Sequence, residues 1–81
     1  MTNPITMYST SWCGHCRRLK RQLDEAGIAY REVDLDEDHS HDRRIIEASG
    51  GYRIVPTIDI RGRLLVNPSV DEVRTALAPT A

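Results

Sequence analysis

The sequence predicts an α/β fold: a four-stranded mixed sheet with three helices, in the order β-α-β-α-β-β-α. Three observations carry this. Short apolar or β-branched runs alternate with amphipathic stretches. Glycines close the first two amphipathic stretches, at Gly27 and at Gly50-Gly51. A two-residue turn, Arg61-Gly62, separates two neighbouring apolar runs. The 81 residues fit one domain, residues 1–81, with a thin core.

Taken in order, residues 5–8 form a first strand, closed by the polar Ser9-Thr10-Ser11. A helix follows from about Cys13 to Ala26, with Gly27 as its C-terminal cap. Cys16, Leu19, Leu23 and Ala26 share one face of it. Residues 28–33 alternate and read as a second strand. Residues 34–41 are an acidic connection containing His39 and His41. A second helix is predicted from about Ser40 to Ser49, with Ile45, Ile46 and Ser49 facing inward. Residues 54–60 read as a third strand with Pro56 at its entry, and residues 64–66 as a fourth. Asn67-Pro68-Ser69 leads into a last helix that buries Val70, Val73 and Leu77. The first two strands, joined through a helix, are expected to be parallel with a right-handed crossover. The last two, joined by a tight turn, are expected to be antiparallel.

Composition narrows the function. A net charge of -1 argues against holding nucleic acid by bulk electrostatics. No apolar run reaches the length of a membrane span, and the start has no signal-peptide pattern, so a cytoplasmic protein is expected. Both cysteines lie in Trp12-Cys13-Gly14-His15-Cys16. A bond between them closes almost no loop and has little structural value, which points to chemistry.

A thiolate, not a thiol, attacks a disulfide. Cys13 stands at a helix start, where unpaired N–H groups and the helix dipole favour a negative sulfur. Cys16 lies one turn on, where it can donate to Cys13 or close a disulfide with it. Cys13 is therefore read as the exposed nucleophile and Cys16 as the buried resolving thiol. Trp12 would shield the nucleophile, and Gly14 would allow close approach. His15 has two readings: a positive charge beside Cys13, or a solvated residue. Of Arg17, Arg18, Lys20 and Arg21, Arg17 is the functional candidate. Arg18 and Arg21 read as a solvated face balanced by Asp24 and Glu25. A structural zinc site needs four ligands, and His39 and His41 read as solvated, so no metal is expected.

The Cys13–Cys16 segment after a short strand, with Val55-Pro56-Thr57 downstream, resembles the thioredoxin superfamily. The short N-terminus points to its glutaredoxin family. Residues 50–57 (Gly-Gly-Tyr-Arg-Ile-Val-Pro-Thr) and 67–73 (Asn-Pro-Ser-Val-Asp-Glu-Val) are most similar to the mycoredoxin group. The resemblance implies a cis Val55-Pro56 bond and a thiol-binding groove formed by Val55, Pro56, Asn67, Pro68 and Ser69, with Arg53 contributing. It implies reduction of mixed disulfides between proteins and mycothiol. Mycothiol, or another low-molecular-weight thiol, would be the electron donor, recycled by its reductase. No tightly bound cofactor and a monomeric state are expected. His15 departs from the group's usual Tyr, and Gly-His between the cysteines is the pair of protein disulfide isomerases, which leaves redox poise open. One rival is an NrdH-type redoxin fed by thioredoxin reductase, whose usual C-terminal Trp-Ser-Gly-Phe-Arg-Pro run is missing here. The other is a metal-carrying module.

Overall fold

The computed structural model describes residues 4–78. Its elements are β1 (Ile5–Ser9), α1 (Gly14–Glu25), β2 (Arg31–Asp34), a 3-10 turn (His39–His41), α2 (Asp42–Ala48), β3 (Thr57–Ile60), β4 (Arg63–Val66) and α3 (Val70–Leu77). The strand order is β2-β1-β3-β4. β1 and β2 are parallel; β3 is antiparallel to both β1 and β4. The predicted class and strand directions therefore hold.

Strand alternation divides the core between the two faces of the sheet. Ile5, Met7, Ile58 and Ile60 join Cys13, Cys16, Leu19, Leu23 and Val73 from the α1 and α3 side. Tyr8 points the other way and packs with Val33, Leu35 and Ile45 of α2. The cysteine pair thus sits at the end of the larger cluster, where β1 delivers the chain into α1.

Local chemistry sets the element ends. At the end of α1 the Gly27 N–H donates to Asp24 and the Ile28 N–H to Leu23, with Gly27 at φ 71°. This is the paired-bond C-terminal cap that glycine permits. At the end of α2 the Gly51 N–H reaches back to Ile46 at 2.8 Å. Arg61 and Gly62 both have positive φ, 52° and 93°, and form the two-residue hairpin turn between β3 and β4. The Ser69 hydroxyl accepts the Glu72 N–H while the Glu72 carboxylate accepts the Ser69 N–H, a reciprocal cap that starts α3.

Six expectations are corrected. β2 starts at Arg31 rather than residue 28, because the Ile28 N–H is spent closing α1. β3 starts at Thr57 rather than residue 54; Pro56 has no N–H to give a ladder. α2 starts at Asp42, preceded by the 3-10 turn, and Ile46 is 37% exposed. A seven-residue helix that buries Ile45 has one inward stripe, and the next residue lies about 100° round the axis. Ser49 also does not serve the core: its hydroxyl donates to the Tyr52 carbonyl, accepts the Tyr52 N–H and so holds the turn. Finally, His41 is half-buried, its ring 4.9 Å from that of Tyr8, rather than simply solvated.

Candidate redox site

Cys13 is the N-cap of α1, with φ -86° and ψ 110°. A cap residue in this extended conformation turns its side chain back over the first turn. Here the acceptor is sulfur: the Cys16 N–H donates to Cys13 Sγ at 3.1 Å. The Cys13 N–H bonds the Thr10 carbonyl at 3.3 Å and so ties the cap to the end of β1. Both thiols are free.

The expected exposure of Cys13 is not what the fold provides. Cys13 keeps 5% of its surface, and Cys16 none. The cap geometry draws Cys13 Sγ inward, and the Val55 carbonyl lies 3.9 Å from it. The contrast between the two cysteines is one of degree: both are buried, Cys16 completely. Burial, reinforced by the hydrogen bond with Cys13, pushes the Cys16 thiol up to about 12.

Val55-Pro56 is cis. The Pro56 carbonyl accepts the Asn67 N–H at 2.8 Å. Asn67 has φ 49°, a left-handed conformation that Asn tolerates, and it turns the chain into the cap of α3. The result brings Pro56, Asn67, Pro68 and Ser69 together with His15 on α1 around one cleft of about 320 Å³. Val55 precedes Pro56 in the chain with its carbonyl 3.9 Å from Cys13 Sγ; neither Val55 nor Cys13 lines the cleft itself. Arg18, read from the sequence as part of a solvated face, also lines it, as do Gln22 and Glu72.

Other candidates stand elsewhere. Arg53 does not face the cleft: its guanidinium pairs with Asp36 at 2.8 Å and Asp42 at 3.5 Å. The Trp12 indole donates to Asp36 at 3.1 Å and leaves 67% of the residue exposed, so it is tethered outward rather than folded over Cys13. A Cβ at Gly14 would meet nothing within 4 Å, so packing does not demand glycine there. Arg17 is exposed and lines a shallow groove with Gly14, Arg18 and Arg21. Lys20 pairs with Glu32, and among the described residues neither Arg18 nor Arg21 forms an ion pair with Asp24 or Glu25, so the expected balancing of that face is not found. The role of Asp36 had no signal of its own, since it is one of several carboxylates in the acidic connection.

Among the described residues no group of three His, Cys, Asp or Glu side chains is placed to hold a metal, and no helix is long and apolar enough to cross a membrane. A mixed four-stranded sheet, a cysteine pair capping the first helix and a cis-proline carbonyl segment beside it define a thiol–disulfide oxidoreductase of the thioredoxin fold. The chain belongs to the glutaredoxin family, whose model matches residues 5–65. It is similar to a glutaredoxin-type protein of Mycobacterium tuberculosis, 43% identical over 82 aligned positions that cover all of this chain and 98% of the relative. It is also similar to mycoredoxin 1 of Corynebacterium glutamicum, 37% identical over 70 residues, covering 85% of this chain and 86% of the relative. Among solved structures, a buckwheat glutaredoxin in complex with glutathione superposes with a TM-score of 0.69 at 28% identity, over 90% of this chain and 66% of that one.

Proposed function

We propose that the protein, acting as one domain in the cytoplasm, reduces mixed disulfides between proteins and a low-molecular-weight thiol, with mycothiol as that thiol. The observation that carries the reading is the 3.1 Å contact from the Cys16 N–H to Cys13 Sγ. A backbone N–H at a helix N-terminus favours an anionic sulfur, and the anion is the attacking species. Similarity to mycoredoxin 1 supports mycothiol as the thiol.

Cys13 attacks the mycothiol sulfur of the mixed disulfide. The S–S bond breaks, the protein leaves as a thiolate, and Cys13 takes up mycothiol in a new disulfide. A second mycothiol thiolate then attacks that bond. It frees Cys13 and leaves as oxidised mycothiol, which its reductase recycles. Cys16 can instead displace the bound mycothiol and form the Cys13–Cys16 disulfide. In the reduced protein burial keeps Cys16 a neutral thiol near pH 7, which favours the second-thiol route. The cleft beside Val55-Pro56, closed by Asn67-Pro68-Ser69 and His15, holds the mycothiol moiety.

The test is a coupled assay of the oxidised protein against three electron sources: mycothiol with its reductase, glutathione with its reductase, and thioredoxin reductase. Mycothiol is expected to support the fastest turnover. With a mycothiol mixed disulfide as substrate, Cys13→Ser is expected to abolish reduction and Cys16→Ser to keep much of it. Preference for thioredoxin reductase would overturn the assignment in favour of an NrdH-type redoxin. Equal loss in both variants would make the dithiol route obligatory.

A further inference from the structure

Gly14, Arg17, Arg18 and Arg21 are spaced at i, i+3, i+4 and i+7 along α1, so they form one stripe that starts next to the Cys13 cap. All four are exposed and line one groove. Lys20, Arg44 and Arg53 each hold a carboxylate. Among the described residues the three arginines of the stripe hold none. The helix has no acidic residue in its first turn. Cations there oppose the helix dipole, and like charges four apart repel. The stripe that starts next to the Cys13 cap therefore carries three positive charges with no ion-pair partner among the described residues, in a chain whose net charge is -1.

We propose that Arg17, Arg18 and Arg21 form a docking surface for an acidic segment of the protein that carries the disulfide. The proposal rests on Cys13 being the attacking sulfur. The occupant follows from charge and spacing. Three guanidinium groups are too few to hold a phosphate polymer by counterion release, which takes many contacts. Arg17 and Arg21 stand about 6 Å apart along the axis. Alternate residues of an extended chain stand about 6.6 Å apart. Two acidic side chains on one side of an extended substrate thus meet two guanidinium forks, each of which can bind a carboxylate in the bidentate manner. Such a surface acts mainly on encounter and partner choice, and its effect falls with salt.

The test uses two synthetic peptides, each with one cysteine in a mixed disulfide with mycothiol, flanked either by Glu or by Gln. At low ionic strength, kcat/KM for the Glu peptide is expected to exceed that for the Gln peptide by about tenfold, with the two converging near 0.5 M salt. In Arg17→Gln/Arg18→Gln/Arg21→Gln the ratio is expected to fall to near one and the salt dependence to flatten. A thermal melt checks that this variant is folded, and Arg63→Gln/Arg74→Gln, two exposed arginines on other elements, is expected to keep the ratio. Equal turnover of both peptides by the parent protein would overturn the docking surface while leaving the Cys13 reading intact. So would a ratio that survives the triple substitution, or one that falls equally in the Arg63/Arg74 variant. If the parent turns over neither peptide, the Cys13 reading fails and the docking surface falls with it.

Discussion

The Arg53 guanidinium lies 2.8 Å from Asp36, whose other oxygen accepts the Trp12 indole N–H at 3.1 Å. One carboxylate thus ties the residue before the cysteine pair to the segment before β3. This gives Arg53 a holding role toward Trp12. Trp12 is the only tryptophan in the chain, so its fluorescence reports on this link without interference.

Asp36→Asn and Arg53→Gln are each expected to lower the anisotropy of Trp12 emission and to cost less than about 1 kcal/mol of stability, as half-exposed ion pairs do. The two variants should act alike. An increase in KM for the mixed disulfide in Arg53→Gln, with no change in Asp36→Asn, would mean that Arg53 touches substrate after all.

The two thiols should separate sharply under alkylation. Iodoacetamide reacts with thiolate, and Cys16, pushed up to about 12, supplies almost none at pH 8. Intact-mass analysis of the reduced native protein is expected to show a single adduct, mapped to Cys13, and two adducts in denaturant. The same shift has a stability consequence. The ordinary thiol value is 9.0, so the unfolded chain loses this proton first as pH rises. Stability from Cys16 is full below 9.0 and is lost on the way to about 12. Cys16→Ala is expected to flatten the alkaline decline in denaturant midpoint; an unchanged slope would contradict the buried, neutral thiol.

The turn between β3 and β4 offers a stabilising change. Arg61 sits at φ 52°, where a side chain with a Cβ is strained and Asn is tolerated best after Gly. The turn is of the type that prefers Asn-Gly. Arg61→Asn is expected to raise the melting temperature by a few degrees, corresponding to about 0.5–1 kcal/mol. Gly62 stands at φ 93°, so Gly62→Ala should lower it. A null result for both would show that the turn is not a point of strain.

Which parts of this fold were legible follows from where each determinant lies. The ends at Gly27, Gly50-Gly51 and Arg61-Gly62 were legible because their cause is local: a backbone conformation that glycine supplies. The starts of β2 and β3 were not. Residues 28–30 and 54–56 have strand composition, but the Ile28 N–H closes α1 and Pro56 has none to give. At the site, the cysteine spacing places Cys13 and Cys16 one turn apart whatever surrounds them. The low exposure of Cys13 depends on Val55, 42 residues away, and the Asp36–Arg53 pair on a choice among nearby carboxylates. Nothing in the local pattern encodes either.

Glu32 shows how the acid limb of stability is set. Burial pushes its carboxyl up, but the Lys20 ammonium 2.8 Å away and the Ser9 hydroxyl at 2.8 Å outweigh that, so the carboxyl titrates below its ordinary 4.5. A carboxyl depressed in the folded state binds its proton first in the unfolded chain. Its contribution is therefore present above 4.5 and lost as pH falls through the lower folded value. The pair links α1 to β2, and both side chains are about a third exposed, so salt should weaken it. Glu32→Gln is expected to be less stable than the parent at pH 7. The difference should close as pH falls below 4.5 and shrink in 1 M salt. Denaturant titrations of both proteins at pH 7 and at pH 3 check this. A difference that persists undiminished at pH 3 would assign the effect to packing of the glutamate stem rather than to its charge.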